Sequence, residues 1–209
     1  MVIKCFPLGA MYTNCYLAYD ETTKEAYFFD CGGKNIERLN LFIKENDLLL
    51  KYIVLTHGHG DHIEGLNLFA KTYPEAKIYV GVEEKEFLYN SDLSLSSRIF
   101  GEDFIFEGQA IAVKEGDMIG EFKTIDTPGH TIGSKCFYYE AENILISGDT
   151  MFRRSYGRYD LPTGNINSLY ESLEKLSKLP EKTVVYSAHS EPTTIAEEKI
   201  FLRNIGVLF

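Results

Sequence analysis

Apolar residues fall into short blocks that repeat along the whole chain. Near the start, Val2–Pro7, Tyr16–Tyr19 and Ala26–Asp30 read as strands, because β-branched and aromatic residues cluster over four to six positions. Asp30-Cys31-Gly32-Gly33 then turns the chain into a helical pattern over about Asn35–Asn46. Tyr52–Thr56 has the composition of a buried strand. A helical period runs from about Ile63 to Tyr73 and stops before Pro74. Lys77–Val80 reads as strand, Glu83–Tyr89 as helix, and Leu93–Phe106 as a loop.

The same mixture returns in the second half. Strands are predicted at Ile111–Val113, Phe122–Thr127, Cys136–Tyr139, Ile144–Ser147 and Thr183–Ser187, and helices at about Asn167–Lys178 and Thr193–Arg203. A loop carrying Gly157, Pro162 and Gly164 fills about Asp149–Asn165. Each half places strands early and helices late, with a division near residue 115. The class is α/β or α+β with stacked sheets and outer helices, and the 209 residues form one domain of two similar halves.

Composition narrows the function classes. With 21 Lys and Arg against 31 Asp and Glu, the chain carries a formal charge of −10 and is a poor general partner for nucleic acid. No segment approaches the roughly 18 apolar residues that span a bilayer, and the N-terminus lacks a secretory pattern. Cys5, Cys15, Cys31 and Cys136 show no tight pairing, so they read as reduced, buried thiols of a cytoplasmic protein.

The chemistry lies in Thr56-His-Gly-His-Gly-Asp-His62, directly after the Tyr52–Thr56 strand. In extended backbone, side chains two apart share a side, so His57 and His59 project together. Gly58 and Gly60 allow a sharp turn, and Asp61 and His62 open the next helix. Imidazole with carboxylate suits Zn, Fe or Mn. Four donors cannot complete two metal sites, and the chain has only two further histidines. His130, in Thr127-Pro-Gly-His-Thr131, and His189, in Ser187-Ala-His-Ser190, each follow a predicted strand, as does Asp149 in Ser147-Gly-Asp-Thr150. Donors at the carboxyl ends of several strands meet at one sheet edge.

These motifs resemble the metallo-β-lactamase superfamily over nearly the whole chain and in order. Thr127-Pro-Gly-His-Thr-Ile-Gly-Ser134, Ser147-Gly-Asp-Thr150 with Phe152, Gly157-Arg-Tyr-Asp-Leu-Pro162, and His189 before Pro192-Thr-Thr-Ile195 are similar to its glyoxalase II-like branch, the hydroxyacylglutathione hydrolases and their shorter relatives. The resemblance implies a four-layer αβ/βα sandwich. It implies two divalent metal ions, with zinc first and iron or manganese as alternatives. One ion would sit on His57, His59 and His130 and the other on Asp61, His62 and His189, with Asp149 bridging. A hydroxide shared by two ions about 3.5–4 Å apart would attack a small anionic thioester, with Asp61 steering it. Arg158 would meet the substrate's acidic group, and Tyr159 would line the cleft.

The pattern also departs from full-length glyoxalase II. The chain ends about 20 residues after His189, without the C-terminal helical part that grips glutathione, and Ser190 and Glu191 stand where a tyrosine is usual. Other chemistries of the superfamily remain as alternatives: a mononuclear-iron persulfide dioxygenase, suggested by Gly157-Arg158 and Asp160, or hydrolysis of a lactone, ester or β-lactam.

Overall fold

The computed structural model describes residues 1–208, which divide into two compact units, Met1–Ala112 and 113–208. The first unit is built on a six-stranded sheet. β1 (Val2–Leu8), β2 (Thr13–Tyr19) and β3 (Glu25–Phe29) run antiparallel. β4 (Leu49–Val54) and β5 (Lys77–Gly81) continue parallel to β3, and β6 (Ile111–Val113) takes the edge. The parallel step needs a crossover, which α1 (Glu37–Glu45) supplies between β3 and β4. Leu39 and Ile43, one turn apart, bury the inner face of α1. Glu37 in its first turn and Lys44 in its last complement the helix dipole. α2 (Gly60–Ile63) and α3 (Leu66–Thr72) return the chain to β5, and Phe69 of α3 stacks on Phe28 of β3 at 4.9 Å.

The second unit holds the other sheet, in the order β14-β13-β10-β9-β8-β7: Thr193–Thr194, Val184–Ser187, Ile144–Gly148, Lys135–Tyr139, Phe122–Asp126 and Met118–Ile119. Only β10 and β13 pair in parallel, across α6 (Ile166–Ser177). Asn165 caps α6 by accepting from the Ser168 N–H at 3.0 Å, and Leu169, Leu173 and Leu176 form its buried stripe. They pack with Cys136, Leu145 and Val185 of the sheet and with Ile195 and Leu202 of α7 (Ile195–Asn204).

Several sequence expectations change. The helix expected over Ile63–Tyr73 is two helices. A Cβ at Gly65, between them, would lie 2.2 Å from the Gly33 carbonyl oxygen, so the chain runs too close there for a side chain. The helix expected over Glu83–Tyr89 is a 3₁₀ helix, Val82–Tyr89. Leu93–Phe106 is not simply loop, since it contains the end of α4 (Ser91–Ser94) and all of α5 (Ser96–Phe100). Asn90 starts them by accepting from the Asp92 and Leu93 N–H groups. The loop after Asp149 contains a hairpin, β11 (Met151–Phe152) with β12 (Ser155–Tyr156), turned by Arg154 at φ 54°. Cys15, Cys31 and Cys136 are buried as expected, but Cys5 is exposed, because its side chain faces outward on β1.

Candidate metal centre

The first unit brings four donors together at the carboxyl end of β4. His57, His59 and His62 are buried and Asp61 is half-buried. His57 Nε2 stands 3.0 Å from His59 Nδ1, and the His57 and His62 ring centroids are 4.0 Å apart. His62 Nε2 lies 3.6 Å from Asp61 Oδ2, which accepts from the Thr13 hydroxyl at 3.4 Å. Two imidazole nitrogens on one tetrahedral zinc are about 3.3 Å apart, from bond lengths near 2.0–2.1 Å. The His57–His59 spacing therefore fits donors that share an ion.

The glycines of this motif serve a purpose other than the sharp turn expected from the sequence. Neither Gly58 nor Gly60 has a positive φ. A Cβ at Gly58 would lie 2.4 Å from Phe87 Cβ, and one at Gly60 would lie 3.0 Å from Ser96 Cα. They let the ligand loop press against the 3₁₀ helix and α5.

Groups that the sequence reading did not single out hold this loop. Asp30, at the end of β3, is buried. Its Oδ1 accepts from the Thr56 N–H at 2.8 Å, and its Oδ2 accepts from the Thr56 hydroxyl at 2.9 Å. The same Oδ2 lies 2.9 Å from His62 Nδ1. A carboxylate only accepts, so His62 carries its proton on Nδ1 and, when neutral, presents a lone pair at Nε2. A carboxylate behind a ligand imidazole fixes the ring and raises its basicity. Buried Glu84 accepts from the Gly58 N–H at 2.8 Å and fixes the loop from the other side. Asp30 lies 32 positions before His62, and its place at the end of a predicted strand is the available sequence signal for it. For Glu84, 26 residues downstream of Gly58, there is none.

The second unit gathers the other three expected donors. His130 follows β8, Asp149 follows β10 and His189 follows β13. Asp149 lies between the two histidines, with Oδ2 3.5 Å from His130 Nε2 and Oδ1 3.6 Å from His189 Nε2. His130 Nδ1 donates to the Arg158 carbonyl at 2.8 Å, which again leaves Nε2 as the donor nitrogen. The Phe152 ring meets His189 edge-on at 6.2 Å.

Arg158 therefore contributes its backbone to this cluster. Its guanidinium grips Asp160 bidentately at 2.8 and 2.9 Å on the surface and holds that carboxyl down at about 2. Tyr159 is 43% exposed. Arg153 pairs with Glu191, and the Arg154 N–H donates to buried Glu198 at 2.9 Å. The Tyr156 hydroxyl meets that of Tyr170 at 3.2 Å, which pushes its pKa up to about 12. A cleft of the first unit, about 660 Å³ and lined by Leu48–Tyr52 and Thr72–Lys77, lies at the amino ends of β4 and β5. That is the end opposite the histidines.

Strand-end histidines with anchored far nitrogens, completed by carboxylates, define a metal-dependent hydrolase class. The metallo-β-lactamase superfamily matches residues 8–189, and the chain belongs to it. The chain is 34% identical over 206 residues to hydroxyacylglutathione hydrolase GloC of Haemophilus influenzae, covering 95% of both. Among solved structures it is similar to BLEG-1 B3 metallo-β-lactamase, with 36% identity, a TM-score of 0.88 and coverage of 95% of this chain and 97% of that one. It is also similar to TTHA1623 in a di-iron-bound form, with 28% identity, a TM-score of 0.84 and coverage of 94% and 96%. The fold is the metallo-β-lactamase fold expected from the sequence. Among the described residues, no helix is long and apolar enough to cross a membrane.

Proposed function

We propose that this chain is a dinuclear metallohydrolase that cleaves a small anionic thioester of the hydroxyacylglutathione type. The assignment gives His57, His59 and His130 to one ion and Asp61, His62 and His189 to the other, with Asp149 shared. The observation that carries it is the anchoring of the donor rings. His62 and His130 each have one nitrogen committed to an acceptor, Asp30 Oδ2 and the Arg158 carbonyl, which leaves the other for coordination. Two cations in such a set supply Lewis acidity and a water of lowered pKa. Asp61, held by the Thr13 hydroxyl, orients the attacking water and takes its hydrogen bond at Oδ2.

The similarity to GloC over 95% of both chains supports a thioester as substrate. The nitrogen and oxygen donors accept zinc, iron or manganese. The reading takes zinc, and metal analysis of the purified protein decides among them. Four free thiols fit a reducing compartment, the cytoplasm.

The test is hydrolysis of S-D-lactoylglutathione by protein of measured metal content, followed as thiol release, with His59→Ala beside it. Turnover lost in the variant supports the reading. No turnover with two ions bound removes the hydroxyacylglutathione assignment. A second reading, β-lactam hydrolysis, is favoured by the 36% identity to BLEG-1. Nitrocefin run with the same protein separates the two.

A further inference from the structure

Arg158 is the anchor expected for an acidic substrate, but Asp160 already engages its guanidinium. The first unit carries a different cationic surface. A cleft of about 510 Å³, within the usual range of small-molecule sites, is lined by Lys4, Lys34 and Arg38, with Glu64 as the one acidic side chain. Three cations around one cavity stand out on a chain with a net charge of −10.

These cations have charge to offer. Lys34 is 59% exposed and reaches Glu64 and Glu102 only at 4.0 and 3.9 Å. Lys4 lies over the Phe42 ring, 4.0 Å from its centroid, with its stem covering apolar surface. Arg38 is exposed on α1 and forms no ion pair among the described residues. Tyr12, 76% exposed and at φ 53°, stands at the cleft's rim.

The cleft also adjoins the ligand loop. A Cβ at Gly9, on its wall, would lie 2.0 Å from the Gly32 carbonyl oxygen and 3.2 Å from Glu64 Oε2. A Cβ at Gly32 would in turn lie 2.6 Å from the Asp61 carbonyl oxygen. Asp61 and Glu64 are three residues apart, so they share a side of the α2 turn about 5 Å from each other along its axis. Glu64, in the cleft lining, thus stands about one helical turn from Asp61.

We infer that the Lys4–Lys34–Arg38 cleft binds the anionic arm of the thiol half of the substrate, the carboxylates of a peptide thiol or the phosphates of a nucleotide-bearing thiol. The assignment of this arm to the substrate rests on the thioesterase reading above; the cleft's affinity for anions does not.

The experiment uses the metal-loaded full chain. KM and kcat are measured for the lactoyl thioesters of glutathione, coenzyme A and neutral N-acetylcysteamine. Binding of non-hydrolysable S-methylglutathione and of coenzyme A is measured by calorimetry. The variants are Lys34→Glu, Arg38→Glu and, as a control of equal charge change outside the cleft, Lys71→Glu. Lys34, Arg38 and Lys71 are exposed, so the fold tolerates all three changes.

The expected result is a rise in KM of about tenfold for an anionic thioester in each cleft variant. The preference over the neutral thioester should fall by the same factor, with no such change in Lys71→Glu. Whether the glutathione or the coenzyme A arm shows the effect identifies the anion. Turnover with KM unmoved by both reversals overturns the cleft and leaves the thioesterase standing. Absence of turnover, with thiol binding lost in Arg38→Glu, retains an anion site and removes the thioesterase. If the wild type neither turns over a thioester nor binds either thiol, both fall.

Discussion

Asp30→Asn tests whether the hydrogen bond behind His62 sets metal affinity. Asparagine has nearly the shape of aspartate and tolerates the left-handed backbone at position 30, where φ is 62°. The Thr56 N–H can only donate, so the introduced asparagine must keep its carbonyl oxygen where Asp30 Oδ1 stands, 2.8 Å away. Its amide then occupies the Oδ2 position and points an N–H at His62 Nδ1, 2.9 Å away. His62 must respond by accepting at Nδ1 and carrying its proton on Nε2, the nitrogen that faces Asp61. A protonated Nε2 cannot coordinate.

The affinity of the ion on Asp61, His62 and His189 should therefore fall by about 10- to 100-fold, the usual effect of losing such a partner. That is about 1.4–2.7 kcal/mol. Stability of the metal-free protein should fall by only about 1 kcal/mol, because most Thr56 bonds survive. Competitive chelator titration gives the first quantity and urea unfolding of the metal-free protein the second. Two ions bound by Asp30→Asn with wild-type affinities would refute the argument that this carboxylate fixes the His62 tautomer.

Other single features carry predictions of their own. Gly129→Ala places a Cβ 2.3 Å from Leu169 Cα at a backbone φ of +140°, so thermal unfolding should show a loss of about 3 kcal/mol or more. Only Cys5 of the four thiols should alkylate readily in the native state. Partial burial pushes its pKa up to about 11, so the rate should rise nearly tenfold per pH unit between about pH 8 and 10. Burial also raises the Glu198 carboxyl above its ordinary value of 4.5. The folded state then binds more protons than the unfolded state, so the wild type should lose stability relative to Glu198→Gln as pH rises from about 4.5 through the folded pKa. A flat difference across that window in urea titrations would exclude this assignment.

How much of this is legible in the sequence depends on the distance between cause and effect. The pairing of His57 with His59, and the placing of Asp61 and His62 on a new helix, follow from seven consecutive residues and the period of an extended strand. The anchors are different in kind. Asp30 acts on His62 from 32 positions away, Glu84 on Gly58 from 26, and Arg158 on His130 through a carbonyl that any residue would supply. No local pattern reports a backbone oxygen. The short helices α4 and α5 escape the sequence for a related reason. At four and five residues they are too short to show a helical period, and only the Asn90 cap marks them.

The Arg158 side chain is a different case. A basic residue near predicted ligands invites an electrostatic role, yet its nearest opposite charge is Asp160, two residues along the chain. An exposed ion pair of that kind contributes little to stability, but it reduces the field that an approaching anion meets. Lys4, Lys34 and Arg38 are scattered over about 35 residues and form no motif, and the sheet and α1 bring them around one cavity. Sequence spacing therefore finds donors that share a turn, whereas recognition of the rest of a substrate depends on charges that only the tertiary fold assembles.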